Sequence, residues 1–160
     1  MHPEHEHNGI ERFAWAALRF MAGVMWSMHG MQKIFGLWGG PMGNGEGVPP
    51  LSWPFGIAGL IELVFGLLIA VGLFTRPAAL IASGQMAVAY FWQHVPSGGI
   101  MPLANRGELA ALYSFVFLFF AVFGAGHFSL DHLIRRRRVE GASHLPSGPA
   151  PERARGEVGA

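Results

Sequence analysis

Four long apolar stretches make up about half of this chain, and each of them carries ionisable side chains. Arg19, His29 and Lys33 lie in the first stretch, Glu62 in the second, His94 at the end of the third and Glu108 at the start of the fourth. A charge in a bilayer core costs roughly 2.5–3.5 kcal/mol on insertion scales, so such groups have to be paired, hydrated or used. Any fold for this chain must satisfy the apolar runs and these charges together. Composition agrees with a lipid environment: of 160 residues, 51% are hydrophobic and 13% charged, whereas a soluble domain carries about 25% charged residues.

The apolar runs read as helices. The first extends from Phe13 to Phe35, and the second from Pro54 to Phe74. Thr75-Arg76-Pro77 then marks a tight turn, because proline disfavours helix at the residue before it yet suits a helix's first turn. The third run continues from Pro77 to Val95 and stops at Pro96-Ser97-Gly98-Gly99; the fourth extends from Glu108 to Phe123. Each approaches the ~20 residues that cross ~30 Å of hydrocarbon. The expected fold is all-α, a membrane four-helix bundle over residues 13–131. A short segment of residues 1–12 precedes it, a long Gly/Pro-rich loop joins helices one and two, and a tail of residues 132–160 follows.

Basic residues in short loops orient such a bundle. Arg12, Arg76 and the run Arg135 to Arg138 share one side, which places both termini in the cytoplasm. Trp38, Trp53 and Trp92 then gather at the outer interface. The arginine run reads first as an anchor for anionic lipid, with a protein-docking patch as the alternative. Ser129 is placed to cap a short interfacial helix. From Val139 onward, Gly, Pro, Ala and charged residues leave little apolar surface to bury, the composition of a disordered tail.

Several chemistries are excluded or disfavoured. Without cysteine the chain holds no disulfide, thiolate nucleophile or cysteine-ligated cluster. A net charge of +1 says little about partners, but nothing in the chain resembles a nucleic-acid-binding patch, so no nucleic-acid partner is expected. The acidic, His-rich start is not that of a cleaved signal peptide. His2, His5 and His7 form a weak metal-binding candidate, and no metal site is assigned. Met21, Met25 and Met28 are expected to pack rather than to ligate.

Given that topology, depth along the membrane normal can be estimated. Lys33 sits near the outer interface, with His29 about 6 Å deeper on the same helix face. Glu62 lies about 12 Å down helix two, and Arg19 roughly 21 Å below Lys33. His29, Lys33, Glu62, His94 and Glu108 therefore converge on the outer half of the bundle, and Arg19 stands apart. Simple roles exist for most of them. Lys33 can snorkel, His94 can cap a helix end, Asn105-x-x-Glu108 fits a capping box, and Arg19 can tie the inner half together. Glu62, flanked by Ile61 and Leu63 and far from a helix end, needs a partner in the bundle; Lys33 and His29 are the candidates. Glycines Gly23 and Gly30 on helix one, and Gly59 and Gly66 on helix two, are spaced to let the helices approach closely.

These residues also carry a family resemblance. The run Arg19…His29-Gly-x-x-Lys33-x-Phe-Gly36, then Gly59-x-x-Glu62-x-x-x-Gly66…Gly72-Leu-Phe-Thr-Arg76-Pro-Ala-Ala, resembles the DoxX family, as do Met86-Ala-x-Ala-Tyr90-x-x-x-His94, Asn105-x-Gly-Glu108 and Gly126-x-x-Ser129-Leu-Asp131. The match covers Arg12 to Asp131. It implies a small multi-pass protein of the bacterial inner membrane and a link to redox chemistry. Relatives include the membrane subunit of a thiosulfate:quinone oxidoreductase and a component of a complex for thiol and superoxide defence. Family membership constrains the fold more than the reaction.

Three readings of function follow. In the first, the chain is a membrane subunit of an oxidoreductase or redox-stress system that binds a quinone headgroup in the outer-half pocket. Glu62 and His29 handle protons, while Lys33, His94, Glu108 and Arg19 help to hold the ligand. A partner protein supplies the electrons, and the chain can form homo-oligomers. A bis-His haem on His29 and His94 is disfavoured. The second reading is a transporter of a small solute or of protons. The third is a non-catalytic membrane scaffold in which the polar set is structural.

Overall fold

The computed structural model describes residues 9–143, all of them in helices, turns or loops. Helix α1 is Gly9–Phe35, and a short 3-10 turn at Leu37–Gly39 opens the loop to α2, Phe55–Val71. Helix α3, Thr75–Ala89, runs into a π turn at Tyr90–His94 and then α4, Val95–Gly98. After α5, Pro102–Asn105, come α6, Glu108–Phe123, and α7, Leu130–Ser143. The His2, His5 and His7 candidate lies outside the described residues, as does the tail from residue 144.

The long helices form an antiparallel bundle. Helix α1 packs chiefly on α2 and α3 on α6, while α2–α3 and α1–α6 contacts close the ring. Glycine sets the first of these contacts. A Cβ on Gly23 would fall 2.5 Å from the Ala70 nitrogen, and one on Gly30 2.5 Å from the Leu63 nitrogen, so the two backbones touch without intervening side chains. The α3–α6 pair is tied by Ser83 Oγ donating to the Ser114 carbonyl at 2.8 Å and Ser114 Oγ returning a bond to the Ser83 carbonyl at 3.2 Å. Trp26, Ile69, Phe117 and Phe120 fill the centre beside Ala78, Ala79 and Ala82.

The size pattern is inverted relative to a soluble bundle. Much of the interior is glycine and alanine, while Met21 and Met25, Val64 and Leu67, Leu80 and Val88, and Leu112 and Phe115 point away from the core on the four helices. Met21, Met25 and Met28 thus face outward instead of packing inside. Length departs from expectation as well. Helices α2 and α6 have 17 and 16 residues, and α1 with 27 carries Glu11, Arg12, Arg19 and Lys33. No helix among the described residues is long and apolar enough to cross a membrane.

Helix ends show where local signals yield to distant ones. Helix α3 starts at Thr75, two residues before the expected Pro77. The carboxylate of Asp131 accepts the Phe74 and Thr75 N–H groups at 2.8 and 2.9 Å, satisfying donors that a helix start leaves free. Gly72, at φ 73°, makes the turn from α2 that brings this about. The third run does not stop cleanly at Val95: its last turn widens, and the Val95 N–H bonds the Tyr90 carbonyl. Pro96 has no N–H to offer the Trp92 carbonyl, which favours such a change of register. Helix α7 has the expected cap, with Ser129 Oγ accepting the His132 N–H at 3.2 Å. It then continues past Val139, where the tail composition suggested disorder.

Candidate functional site

At the end of the bundle where α1 finishes and α2 and α6 begin, a cavity of about 620 Å³ opens between the helices. His29, Lys33, Glu62 and His94 all line it. Four of the five residues expected to converge on this end are thus brought to one space. Most of the wall is apolar, with Trp53, Trp92 and Phe55 at the loop side. The Trp53 and Trp92 rings stand 5.4 Å apart.

The central feature is an ion pair. Lys33 Nζ lies 2.6 and 2.5 Å from the two Glu62 carboxylate oxygens, and Gln85 Nε2 donates to Glu62 Oε1 at 3.2 Å. Exposure of the two side chains is unequal, 19% for Lys33 and 3% for Glu62. Burial opposes the charge on the carboxylate, and the adjoining ammonium and amide support it. The second Gln85 N–H bond goes to the Ala58 carbonyl at 3.2 Å, which fixes the orientation of the amide.

Some residues of the cavity wall also carry buried polar atoms that lack protein partners. Trp26 and Tyr113 line it, both buried, and neither Trp26 Nε1 nor Tyr113 Oη has a hydrogen-bond partner; Gln85 Oε1 is likewise unpaired. Buried polar atoms are paired in the great majority of cases, so three on residues that line one cavity set this end of the bundle apart from the rest of the core. The His29 ring is 6.5 Å from that of Tyr113, edge to face. His94, in the π turn, has Nδ1 3.2 Å from the Asn105 carbonyl oxygen, which ties the ring to the α5 loop. Gln93 and Arg106 complete the polar lining.

Two of the expected residues lie elsewhere. Glu108 is exposed and not part of the cavity wall, and the capping box with Asn105 does not form. The Asn105 side chain is spent on other bonds, accepting the Gly107 N–H at 2.7 Å and donating to the Gly99 carbonyl at 2.7 Å. With Arg106 left-handed at φ 57°, α6 starts only at Glu108. Arg19 sits at the opposite end, fully enclosed. Its guanidinium donates to the carbonyls of Ala125 and Phe128, the latter at 2.7 Å. That arrangement clamps the turn after α6.

Trp26, Gln85 and Tyr113 join the site although little in the local sequence marks them. A search for ionisable groups in apolar runs passes over an indole and an amide, and Tyr113 reads as one more aromatic in α6. Gln85 carries the one available signal, an amide in the middle of an apolar run.

An antiparallel helical bundle with a buried ion pair at one cavity-bearing end defines the class, a small all-α protein built around a polar pocket. The profile of the DoxX family matches residues 14–95, which contain most of α1, all of α2 and α3, and the Lys33–Glu62 pair. An uncharacterized protein of Haemophilus influenzae is 41% identical over 134 residues, spanning 78% of this chain and 96% of that protein. The chain belongs to the DoxX family. No solved structure matches it.

Proposed function

We propose that this chain is a bacterial inner-membrane subunit of an oxidoreductase system and that its cavity binds a quinone headgroup. The observation that carries the reading is the set of unpaired atoms on Trp26, Tyr113 and Gln85 beside the buried Lys33–Glu62 pair. A mostly apolar slot with a few polar groups suits a flat ring bearing two carbonyl acceptors. The Trp26 N–H and Tyr113 O–H are unpaired donors on lining residues that would serve such acceptors once the rings turn toward the cavity, and Gln85 Oε1 would accept from the reduced form. When bound, the quinone would take up two electrons and two protons. The electrons come from a partner protein; Glu62 and His29 are the residues that would hold and pass protons, with Lys33 keeping the carboxylate in place.

Membrane placement is supported by the girdle of large apolar side chains on all four long helices. The 16 and 17 residues of α6 and α2 rise about 24–26 Å, a shortfall against ~30 Å of hydrocarbon that bilayers accommodate by local thinning. The basic residues at that end, Arg76 and the arginines of α7, support a cytoplasmic orientation for it. A transport route would have to pass the fully buried Trp26, Phe117 and Phe120, and this apolar middle favours a site closed at one end.

The test uses full-length protein purified from its own membrane, with bound quinones extracted and identified by mass spectrometry. Tryptophan quenching by an added decyl-benzoquinone then measures affinity, because three tryptophans line the cavity. Tyr113→Phe and Glu62→Gln should each weaken binding about tenfold, as expected for losing one hydrogen bond to the ligand or its support. Absence of co-purified quinone together with unchanged quenching in both variants would refute the proposal.

A further inference from the structure

A second cavity, of about 590 Å³, opens at the opposite end of the bundle, between the α2–α3 turn, the turn after α6 and the start of α7. The redox reading makes no use of it. Its walls bring together Arg76, Arg135, His127 and His132, cations and imidazoles from segments far apart in sequence. The two imidazoles stand with centroids 5.0 Å apart. One carboxylate is present, that of Asp131, and both its oxygens already accept the Phe74 and Thr75 N–H groups. Neither Arg76 nor Arg135 forms an ion pair among the described residues, whereas Arg136 pairs with Glu140 at 3.0 Å.

The position of α7 is set by several bonds. Asp131 N–H donates to the Gly72 carbonyl at 2.8 Å, and Ser129 Oγ donates to the Gly126 carbonyl at 2.7 Å. One helical turn after Asp131, Arg135 is therefore delivered to the cavity that Arg76 also lines. Arg76 itself lies along Gly124, where a Cβ would stand 3.2 Å from its Nε. Two guanidinium groups without carboxylate partners, with imidazoles beside them, form a receptor for an oxyanion bearing several oxygens, and arginine pairs such groups through two N–H donors at once.

The rim identifies the source of that anion. Phe74 and Phe123 line the same cavity and are 65% and 60% exposed, and the adjoining face of α7 exposes Leu130, Leu133 and Ile134. A water-borne phosphate has no use for phenyl rings at its mouth; an amphiphile does, with its headgroup on the arginines and its chains along the rings. We propose that this cavity binds the phosphate headgroup of an anionic membrane lipid. Beyond a diffuse attraction of basic residues to an anionic leaflet, this is a defined site, specific to Arg76 and Arg135. It rests on the membrane placement proposed above.

The test is native mass spectrometry of the detergent-solubilised full chain with added dioleoyl-phosphatidylglycerol or dioleoyl-phosphatidylcholine. The wild type should retain phosphatidylglycerol preferentially, and Arg76→Gln with Arg135→Gln should weaken that binding roughly 10–30-fold, as for the loss of two cations at an anionic surface. Arg137→Gln with Arg138→Gln, which removes the same charge outside the cavity, should change it less than about threefold. Equal losses in the two double variants would replace the site with diffuse attraction and overturn the proposal. Displacement of the lipid by millimolar inorganic phosphate would reassign the cavity to a soluble anion, and this arm needs no variant. Carbonate extraction of membranes separates the two levels: a wild-type chain that washes out overturns membrane placement and the site together, whereas an integral chain without headgroup preference overturns the site alone.

Discussion

Lys33 and Glu62 are not equivalent halves of their ion pair, and single substitutions should reveal the difference. Removing one partner of a buried pair costs about 3–5 kcal/mol when the remaining charge is trapped. Lys33→Met leaves the Glu62 carboxylate 3% exposed with only the Gln85 N–H, at 3.2 Å, to compensate it. That variant should lose the full ~3–5 kcal/mol. Glu62→Gln leaves a lysine whose side chain is 19% exposed. Its flexible stem lets the ammonium move toward the cavity mouth, so the loss should be nearer ~1–2 kcal/mol. The double variant has no charge to strand and should stay within ~1–2 kcal/mol of wild type, less than the two single losses combined. Reversible unfolding of purified protein, followed by tryptophan fluorescence across all four proteins, gives the cycle. Additive losses would show that the pair does not interact as its geometry requires. A Glu62→Gln variant less stable than Lys33→Met would refute the argument from burial.

Two further outcomes test the packing that supports the site. Gly30→Ala should destabilise by ~1–3 kcal/mol or more, because its Cβ meets backbone 2.5 Å away on α2, whereas Gly84→Ala, with nothing within 4 Å, should be neutral or gain up to about 1 kcal/mol from helix propensity; thermal unfolding of the pair distinguishes them. Arg19→Lys keeps the charge but not the fork that reaches the Ala125 and Phe128 carbonyls, and should cost ~1–3 kcal/mol, with faster hydrogen exchange confined to the turn after α6.

How much of this could be read from the sequence depends on the range of the interaction. Apolar runs located the four long helices, since burial of a helix face is a local pattern, and the last run, Glu108 to Phe123, coincides with α6. The gathering of Lys33, Glu62, His29 and His94 followed from helical rise once the helices alternated in direction. Interactions between distant segments were not legible. Asp131 moves the start of α3, although it follows Thr75 by more than fifty residues. Asn105 bonds back to Gly99, which undoes the capping box that its spacing to Glu108 suggested. Trp26, Gln85 and Tyr113 become site residues only through the company that three other helices bring them, and an uncharged side chain gives no local sign of that.

The ion pair and the close helix packing have one origin. A Cβ on Gly59 would stand 2.9 Å from the Lys33 Cβ, so the lysine stem lies directly against the backbone of α2 at the one residue type that admits it. Glu62 follows three residues later, about one turn along, and its carboxylate meets the ammonium without either helix shifting. Glycine at position 30 holds α1 at that separation one turn before Lys33. The same glycines withdraw side-chain volume from the α1–α2 interface. The space between this pair and α3 and α6 is left to be lined by Trp26, Gln85 and Tyr113. Close contact on one side of the bundle thus places the charges and also leaves the cavity into which they face.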